Sequence, residues 1–303
     1  MGTFEKAREF IYRNARPLDL ARWQYHFENG SGEAVLHALS YYQNEDGGFG
    51  HALEADAWNP QSSPIQTWTA TELLREVGMT DSAHPVLAGI LRYLEAGRDF
   101  QDGVWLNTVP GNNDYPHAPW WHSTGEGGRS YNPTACLAGF LVRFADRGGE
   151  LYARGCRIAR EAYDAYMGQG LLDDMHTVRC YIRLMQYLEE AGGAAGLDVA
   201  GLEAKLIEQV RSIITRNTAD WETAYVCTPS WFIDSPESVF YPGNEELARF
   251  ECGYIVRTQR EDGSWDIPWA WGSYPEEWAL SKNWWKANGI IANLLYLRGF
   301  DML

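Results

Sequence analysis

The feature that most constrains this chain is a turn motif that occurs near both of its ends. The motif reads Gln-x-x-Asp-Gly, then a small residue and an aromatic ring, and its two full copies span residues 43–49 and 259–265. A weaker copy begins at Gln101 and ends at Trp105. Each copy follows a segment with helical apolar spacing and precedes another, so the repeated unit is predicted to be a helical hairpin. In such a turn Asp-Gly supplies the reversal, and the glutamine amide can bond backbone groups at a neighbouring helix.

Apolar residues recur at intervals of three and four along most of the chain, and strand-type alternation is not sustained anywhere. The segments predicted to be helical are 4–12, 34–42, 65–77, 86–94, 134–144, 151–166, 177–188, 202–214, 247–256 and 284–297. Pro64 and Pro133 are predicted to begin helices, with Ser63 and Asn132 as their N-caps. The fold class is therefore predicted to be all-α. The long segments 50–63, 99–131, 217–243 and 260–282 are rich in Trp, Tyr and Pro and are predicted to be functional loops.

Composition narrows the classes of partner. Hydrophobic residues make up 45% of the chain, yet no run is long enough to span a bilayer. A formal charge of −16 opposes binding to a phosphate backbone, so no nucleic-acid partner is expected. The start of the sequence lacks the basic-then-apolar pattern of a signal peptide, and the five cysteines are an odd number with no Cys-x-x-Cys pair. We therefore predict a cytoplasmic protein with reduced thiols and without stable membrane insertion.

The two full turns resemble the QW repeats of the superfamily of terpene cyclases and protein prenyltransferases. More narrowly, segments 46–56, 114–121 and 132–135 resemble a bacterial family labelled prenyltransferase/squalene-oxidase-repeat protein. This resemblance implies an α/α toroid, in which helical hairpins form two concentric rings around a cavity and long aromatic-rich loops cover one mouth. It implies no established activity. We expect one toroid domain over 1–303, with N-terminal helices within 1–30 packed on a ring of hairpin repeats at 31–303.

A polar cluster follows the first turn. His51, Glu54 and Asp56 lie within six positions in an otherwise apolar stretch. A carboxyl group in apolar surroundings retains its proton and can act as a general acid, while a better hydrated neighbour stays ionised. We predict Asp56 or Glu54 as the acid and His51 as the group that tunes it. In the structural alternative the carboxylates cap a backbone turn and His51 bonds a carbonyl.

Aromatic residues are concentrated in the predicted loops. Two prolines stiffen segment 114–122, which places His117 close to Trp120 and Trp121 as a binding loop would. Such rings can stabilise cations or stack on sugars, whereas Trp105 and Trp265 are predicted to fill the core as parts of the turn motif. The residues predicted to line a substrate pocket are Trp68, His117, Trp120, Trp121, Trp231, Trp269, Trp271 and Trp284.

One segment slightly resembles the zinc-histidine region of protein prenyltransferase β-subunits. It holds Asp173, Asp174 and His176, and the remaining thiol ligand would have to be Cys252. Cys252 lacks the Asp-x-Cys pattern of that family, and Thr177 stands where a magnesium-diphosphate motif needs a carboxylate. We therefore predict no metal and no cofactor, and we interpret the two acids as the N-terminal cap of a helix at Thr177.

These observations lead to one principal hypothesis and two alternatives. In the principal hypothesis an acidic, aromatic-lined central pocket binds an isoprenoid or another apolar small molecule and catalyses acid-initiated cyclisation or isomerisation. The first alternative is a carbohydrate-active α/α-barrel hydrolase or lyase, which pairs Glu54 and Asp56, or one of them with Asp114 or Asp234. The second alternative is a non-catalytic binding module. The cations best placed to meet an anionic ligand are Arg179, Arg183, Lys282 and Lys286.

Overall fold

A computed structural model describes residues 2–125 and 130–303. Over these residues the chain is mostly helical, with eleven α-helices and one short β-hairpin, so the predicted helical character is confirmed. The helices are α1 (Thr3–Asn14), α2 (Pro17–Phe27), α3 (Gly32–Ser40), α4 (Pro64–Glu76), α5 (Pro85–Ala96), α6 (Thr134–Phe144), α7 (Glu150–Met167), α8 (Met175–Glu190), α9 (Val199–Ile213), α10 (Glu245–Thr258) and α11 (Pro275–Gly299). The hairpin consists of β1 (Phe100–Gln101) and β2 (Val104–Trp105).

All ten helices predicted from apolar spacing are present, and the spacing missed α2. The reason is that α2 buries two charged residues, Asp19 and Arg22, which interrupt its apolar stripe. Ser63 is confirmed as the N-cap of α4, since its Oγ accepts a hydrogen bond from the Gln66 N–H. Asn132 was wrong as an N-cap, because α6 begins one residue later and Pro133 occupies that position.

The long loops hold little regular structure. The predicted loop 99–131 contains the β-hairpin and short 3-10 turns at Pro110–Asp114 and Pro119–Trp121, and its residues 126–129 lie outside the described part of the chain. The loop predicted over 260–282 is shorter than expected, because α11 begins at Pro275.

The chain divides into two compact units. The first unit comprises Met1–Ala38 and Val210–Leu303, and the second comprises Leu39–Gln209. The expectation of one domain over 1–303 stays a prediction. In the first unit α1, α2 and α11 pack around the fully buried Trp23, which contacts Phe4 and Phe27. In the second unit nine of the eleven residues of α6 are buried, because α7 and α8 pack against it.

The two full copies of the turn motif have the same hydrogen bonds. In the second unit Gln43 Nε2 donates to the carbonyls of Gly47 and Val86, both at 2.9 Å, and Val86 lies in the first turn of α5. In the first unit Gln259 Nε2 donates to Gly263 O at 3.0 Å and to Thr3 O at 2.8 Å, at the start of α1. Each glutamine therefore closes its own turn and fastens it to another helix.

The glycine of each turn is required for close packing. Gly47 and Gly263 have φ values of 91° and 90°, which disfavour any side chain. A Cβ atom at Gly47 would lie 2.0 Å from the carbonyl oxygen of Gly89, and one at Gly263 would lie 2.1 Å from that of Lys6. The weaker copy differs, because Gln101 is exposed in β1 while its aromatic residue, Trp105, is buried.

Replacing Gln259 by Ala is expected to lower the free energy of unfolding by about 1 to 3 kcal/mol, because two buried carbonyl contacts are lost. The matched control is Gln101→Ala, in the weaker copy, which should change the free energy by less than about 0.5 kcal/mol. Urea denaturation followed by tryptophan fluorescence measures both values. Equal stability of the two variants would contradict the role assigned to Gln259.

Candidate functional site

Two loops of the second unit pair through their backbones. We call residues 50–60 the Asp56 loop and residues 109–123 the Trp loop. Ala57 and His117 form an antiparallel bridge. On either side of it the Trp58 N–H donates to Pro116 O at 3.0 Å, and the Ala118 N–H donates to Asp56 O at 2.9 Å. The structure therefore brings together two of the predicted site segments, although they lie about sixty positions apart in the sequence.

Asp56 is buried in this loop pair, with an exposed fraction of 2%. Alanines at positions 55, 57 and 118, next to it along the two paired loops, are buried as well. Glu54 is half-buried, and its Oε1 lies 3.4 Å from the Asp56 N–H. The Glu54 carbonyl also accepts a hydrogen bond from the Ala57 N–H at 3.0 Å. The two predicted carboxylates thus occupy one tight turn, and Asp56 is the better shielded of them.

His51 lies at the start of the Asp56 loop, and its role beside Asp56 stays a prediction. Its backbone is left-handed, with a φ of 58°, and its side chain is exposed. The ring Nε2 lies 2.9 Å from Asn44 Oδ1, and its backbone N–H donates to Asn59 O at 3.1 Å. These contacts hold the first repeat turn against the Asp56 loop, which is a positioning role.

Three buried amide side chains fasten the two loops to α4, and no local sequence pattern predicts their contacts. Gln66 Nε2 donates to Asn59 O at 3.2 Å, Asn59 Nδ2 donates to Asn112 Oδ1 at 3.1 Å, and Asn112 Nδ2 donates to Trp121 O at 3.1 Å. These three hydrogen bonds fix the position of the Trp loop relative to the Asp56 loop.

The Trp loop carries two adjacent imidazoles. His117 is buried, and its Nδ1 lies 2.6 Å from Tyr115 O, so this nitrogen must carry a proton. Its Nε2 lies 3.2 Å from Nδ1 of the exposed His122, and the two rings stack at a centroid distance of 5.4 Å. In its neutral form His117 therefore accepts a hydrogen bond from His122. This arrangement holds His117 rigidly in the loop.

The predicted tryptophans of the second unit differ in exposure. Trp120 is 45% exposed, whereas Trp68 and Trp121 are half-buried. The indole N–H groups of Trp68 and Trp121 are buried and have no hydrogen-bond partner. Buried donors are normally satisfied, so each of these N–H groups can donate a hydrogen bond to an acceptor atom of a ligand or to a water.

The other four predicted tryptophans belong to the first unit. Trp231 and Trp269 both pack against Tyr225, at centroid distances of 6.2 and 5.5 Å. Trp271 is buried against Trp278, which is a packing role. Trp284 lies under the Arg16 guanidinium, 5.1 Å from it.

An ion-pair cluster links α4 to α8 within the second unit. Arg183 donates to both oxygens of Glu72, at 2.7 and 2.5 Å, and Arg179 lies 3.5 Å from the same carboxylate. Burial alone would raise the pKa of Glu72, but the charges of Arg183 and Arg179 overcome this effect and lower it. Trp68 lies one helical turn before Glu72 in α4, and His176 lies one helical turn before Arg179 in α8. Burial lowers the pKa of His176. Arg179 and Arg183, predicted to meet an anionic ligand, are therefore committed to a protein carboxylate.

The residues considered as zinc ligands have other roles. Asp174 caps α8, since its carboxylate accepts hydrogen bonds from the N–H groups of His176 and Thr177, as predicted. Cys252 lies in α10 and donates to Ala248 O. Among residues 2–125 and 130–303 no group of three His, Cys, Asp or Glu side chains is arranged to hold a metal ion.

Comparison with protein-family models, curated proteins and solved structures finds no match to this chain. Among the helices that the structure describes, none combines the length and apolar character needed to cross a membrane.

Replacing Glu72 by Gln is expected to lower the free energy of unfolding at pH 7 by about 2 to 3 kcal/mol, because Arg183 loses a two-point charged contact. The folded-state pKa of Glu72 lies below its ordinary value of 4.5, so its stabilisation is complete above pH 4.5 and is lost as the pH falls through the lowered value. The stability difference between the two proteins should therefore shrink as the pH falls from 6 to about 3.

Denaturation at several pH values measures this difference. The control is Glu261→Gln, an exposed residue of the second full turn, which should leave stability within about 0.5 kcal/mol of the wild type at pH 7. A Glu72→Gln penalty that does not depend on pH would contradict the assigned ion pair.

Proposed function

We propose that the helical hairpins form an α/α toroid. Support comes from the equivalence of the two full turns, each of which fastens the end of one helix to the first turn of another. The second copy uses α1, so a turn near the end of the chain is completed by a helix at its start. This is the connection that closure of a ring of repeats requires. An experimental structure in which Gln259 does not contact α1 would contradict the proposal.

We further propose that the protein binds an isoprenoid or a similarly apolar small molecule and catalyses its acid-initiated isomerisation or cyclisation. The observation that carries this proposal is the burial of Asp56 in a loop held against the Trp loop. Asp56 is the proton donor, and Glu54 is the second carboxylate of the same turn. This choice also follows the resemblance of the repeat turns to those of terpene cyclases.

The proposed chemistry needs only an acid and a shielded, aromatic site. The carboxyl proton of Asp56 forms a C–H bond at one carbon of a ligand double bond, and the π electrons of that double bond supply the bonding pair. The neighbouring carbon becomes a cation, which aromatic faces such as that of Trp121 can stabilise. Loss of a proton from the product cation to the carboxylate restores the acid. For this step Asp56 must start in its protonated form.

The carbohydrate-enzyme alternative has less support from the placement of its acids. Asp114 and Asp234 are both exposed, and Asp234 belongs to the first unit. A pair of catalytic carboxylates needs both groups to face one substrate. Only Glu54 and Asp56 lie close together, and both lie in the same turn.

The class of ligand is tested by native mass spectrometry of the purified full-length protein. The expected result is an added mass that solvent extraction identifies as an apolar molecule with carbon–carbon double bonds. A retained sugar would favour the carbohydrate alternative, and failure of added isoprenoid alcohols to bind at micromolar concentration would overturn the proposal.

Replacing Asp56 by Asn is expected to keep ligand binding while abolishing turnover, because the amide preserves the shape and cannot donate the proton in the transition state. The control is Asp114→Asn, an exposed carboxylate of the Trp loop that should leave both unchanged. Binding is measured by fluorescence titration and turnover by chromatography of the extracted products. Retained turnover in the Asp56 variant would remove Asp56 from the mechanism.

A further inference from the structure

A cleft of about 390 Å³ lies in the second unit, away from the Asp56 and Trp loops. It is formed where the C-terminal ends of α4, α6 and α8 come together. A volume of this size is in the range of small-molecule sites. The side chains that define it are Leu74 and Arg75 of α4, Phe140 and Arg143 of α6, and Tyr187 and Glu190 of α8.

Two arginines of this cleft share a single carboxylate. Arg75 Nη1 lies 2.5 Å from Glu190 Oε1, and Arg143 Nε lies 3.5 Å from Glu190 Oε2. The Arg143 Nε atom is buried and makes no hydrogen bond, so its contact with Glu190 is electrostatic only. Two positive charges against one negative charge leave a net charge of +1 in the cleft. Arg143 therefore holds a buried donor that an added anion can satisfy.

The rest of the cleft is apolar and aromatic. The Arg75 guanidinium lies over the Tyr187 ring at 5.3 Å, and that of Arg143 lies over the Phe144 ring at 5.0 Å. Met79 and Phe144 are partly exposed there, whereas Leu74 and Phe140 lie beneath the surface. A molecule that fits the cleft must therefore combine a charged group with an apolar body.

The helix ends limit the charge of that group. α4 ends at Glu76, α6 at Phe144 and α8 at Glu190, so three C-termini carry their partial negative charges to this region. Their partial charges and Glu190 both oppose a dianion such as phosphate. A single negative charge on Arg143 meets less of this repulsion than a dianion does.

We propose that this cleft binds an amphipathic monocarboxylate, with the carboxylate on Arg143 and Arg75 and the apolar chain against Met79 and Phe144. The site is distinct from the Asp56 loop, and it does not depend on the proposed activity.

Isothermal titration calorimetry of the full-length protein tests the proposal with three probes at pH 7.5. Decanoate is expected to bind with a Kd at least about tenfold lower than that of decanol, because only decanoate can satisfy Arg143. Inorganic phosphate is expected to bind more weakly than decanoate. Equal binding of decanoate and decanol, or tighter binding of phosphate, would overturn the assignment.

Three variants locate the site. Arg143→Gln should weaken decanoate binding about tenfold. Arg154→Gln is the matched control, because Arg154 also lies over aromatic rings in the second unit but does not line the cleft, and it should bind decanoate as the wild type does. Glu190→Gln removes the competing carboxylate and should tighten decanoate binding about tenfold.

If Arg143→Gln proves unstable in a thermal melt, the tighter decanoate binding expected for Glu190→Gln still tests the proposal. Unchanged or weaker binding of decanoate to the Glu190 variant would refute the competition on which the site rests. If Arg143→Gln and Arg154→Gln weaken decanoate binding equally, decanoate binds elsewhere on the protein.

Discussion

The paired hydrogen bonds of the repeat glutamines are the interaction on which the rest of the structure depends. A single amide group closes a turn and holds the first turn of another helix, so the relative position of two helices is set by one side chain. The contact is possible only because glycine lets the backbones approach. The third copy has the same residue types without the same spacing, and it forms a β-hairpin with an exposed glutamine. The geometry of the turn therefore depends on spacing as well as composition.

The same turn positions the candidate acid. Phe49 ends the motif and pairs with Ser63 in a β-bridge, so the Asp56 loop begins and ends beside the turn. Asn44, inside the motif, also holds His51 and the Pro60 carbonyl. A loop anchored at both ends loses little further entropy when it binds a ligand. The structural motif and the proposed chemistry are thus parts of one local design in the second unit.

Sequence reasoning succeeded where the signal is local and failed where it depends on distant contacts. Apolar spacing located α4 and α8 and the Asp174 cap, because these features depend on neighbours within one helical turn. It missed α2, where the buried Asp19 pairs with Arg16 and Arg22 and where Arg22 also donates to the distant Asn288. The Asn59–Asn112 hydrogen bond joins positions 53 residues apart, and no local pattern predicts it. The contact of the His51 ring with Asn44 was likewise not predicted from the sequence.

The order of segments along the chain also sets an order of assembly during synthesis. The second unit is continuous, so the ribosome has released all its residues once Gln209 has emerged. The first unit is discontinuous, and α1 reaches its partner at Gln259 only after most of the chain has been made. Domains fold as units as they emerge, so the middle of the chain completes its core while the N-terminal helix still lacks its partner. Until α10 and α11 have been synthesised, the apolar face of α1 lacks the partners that cover it in the folded first unit.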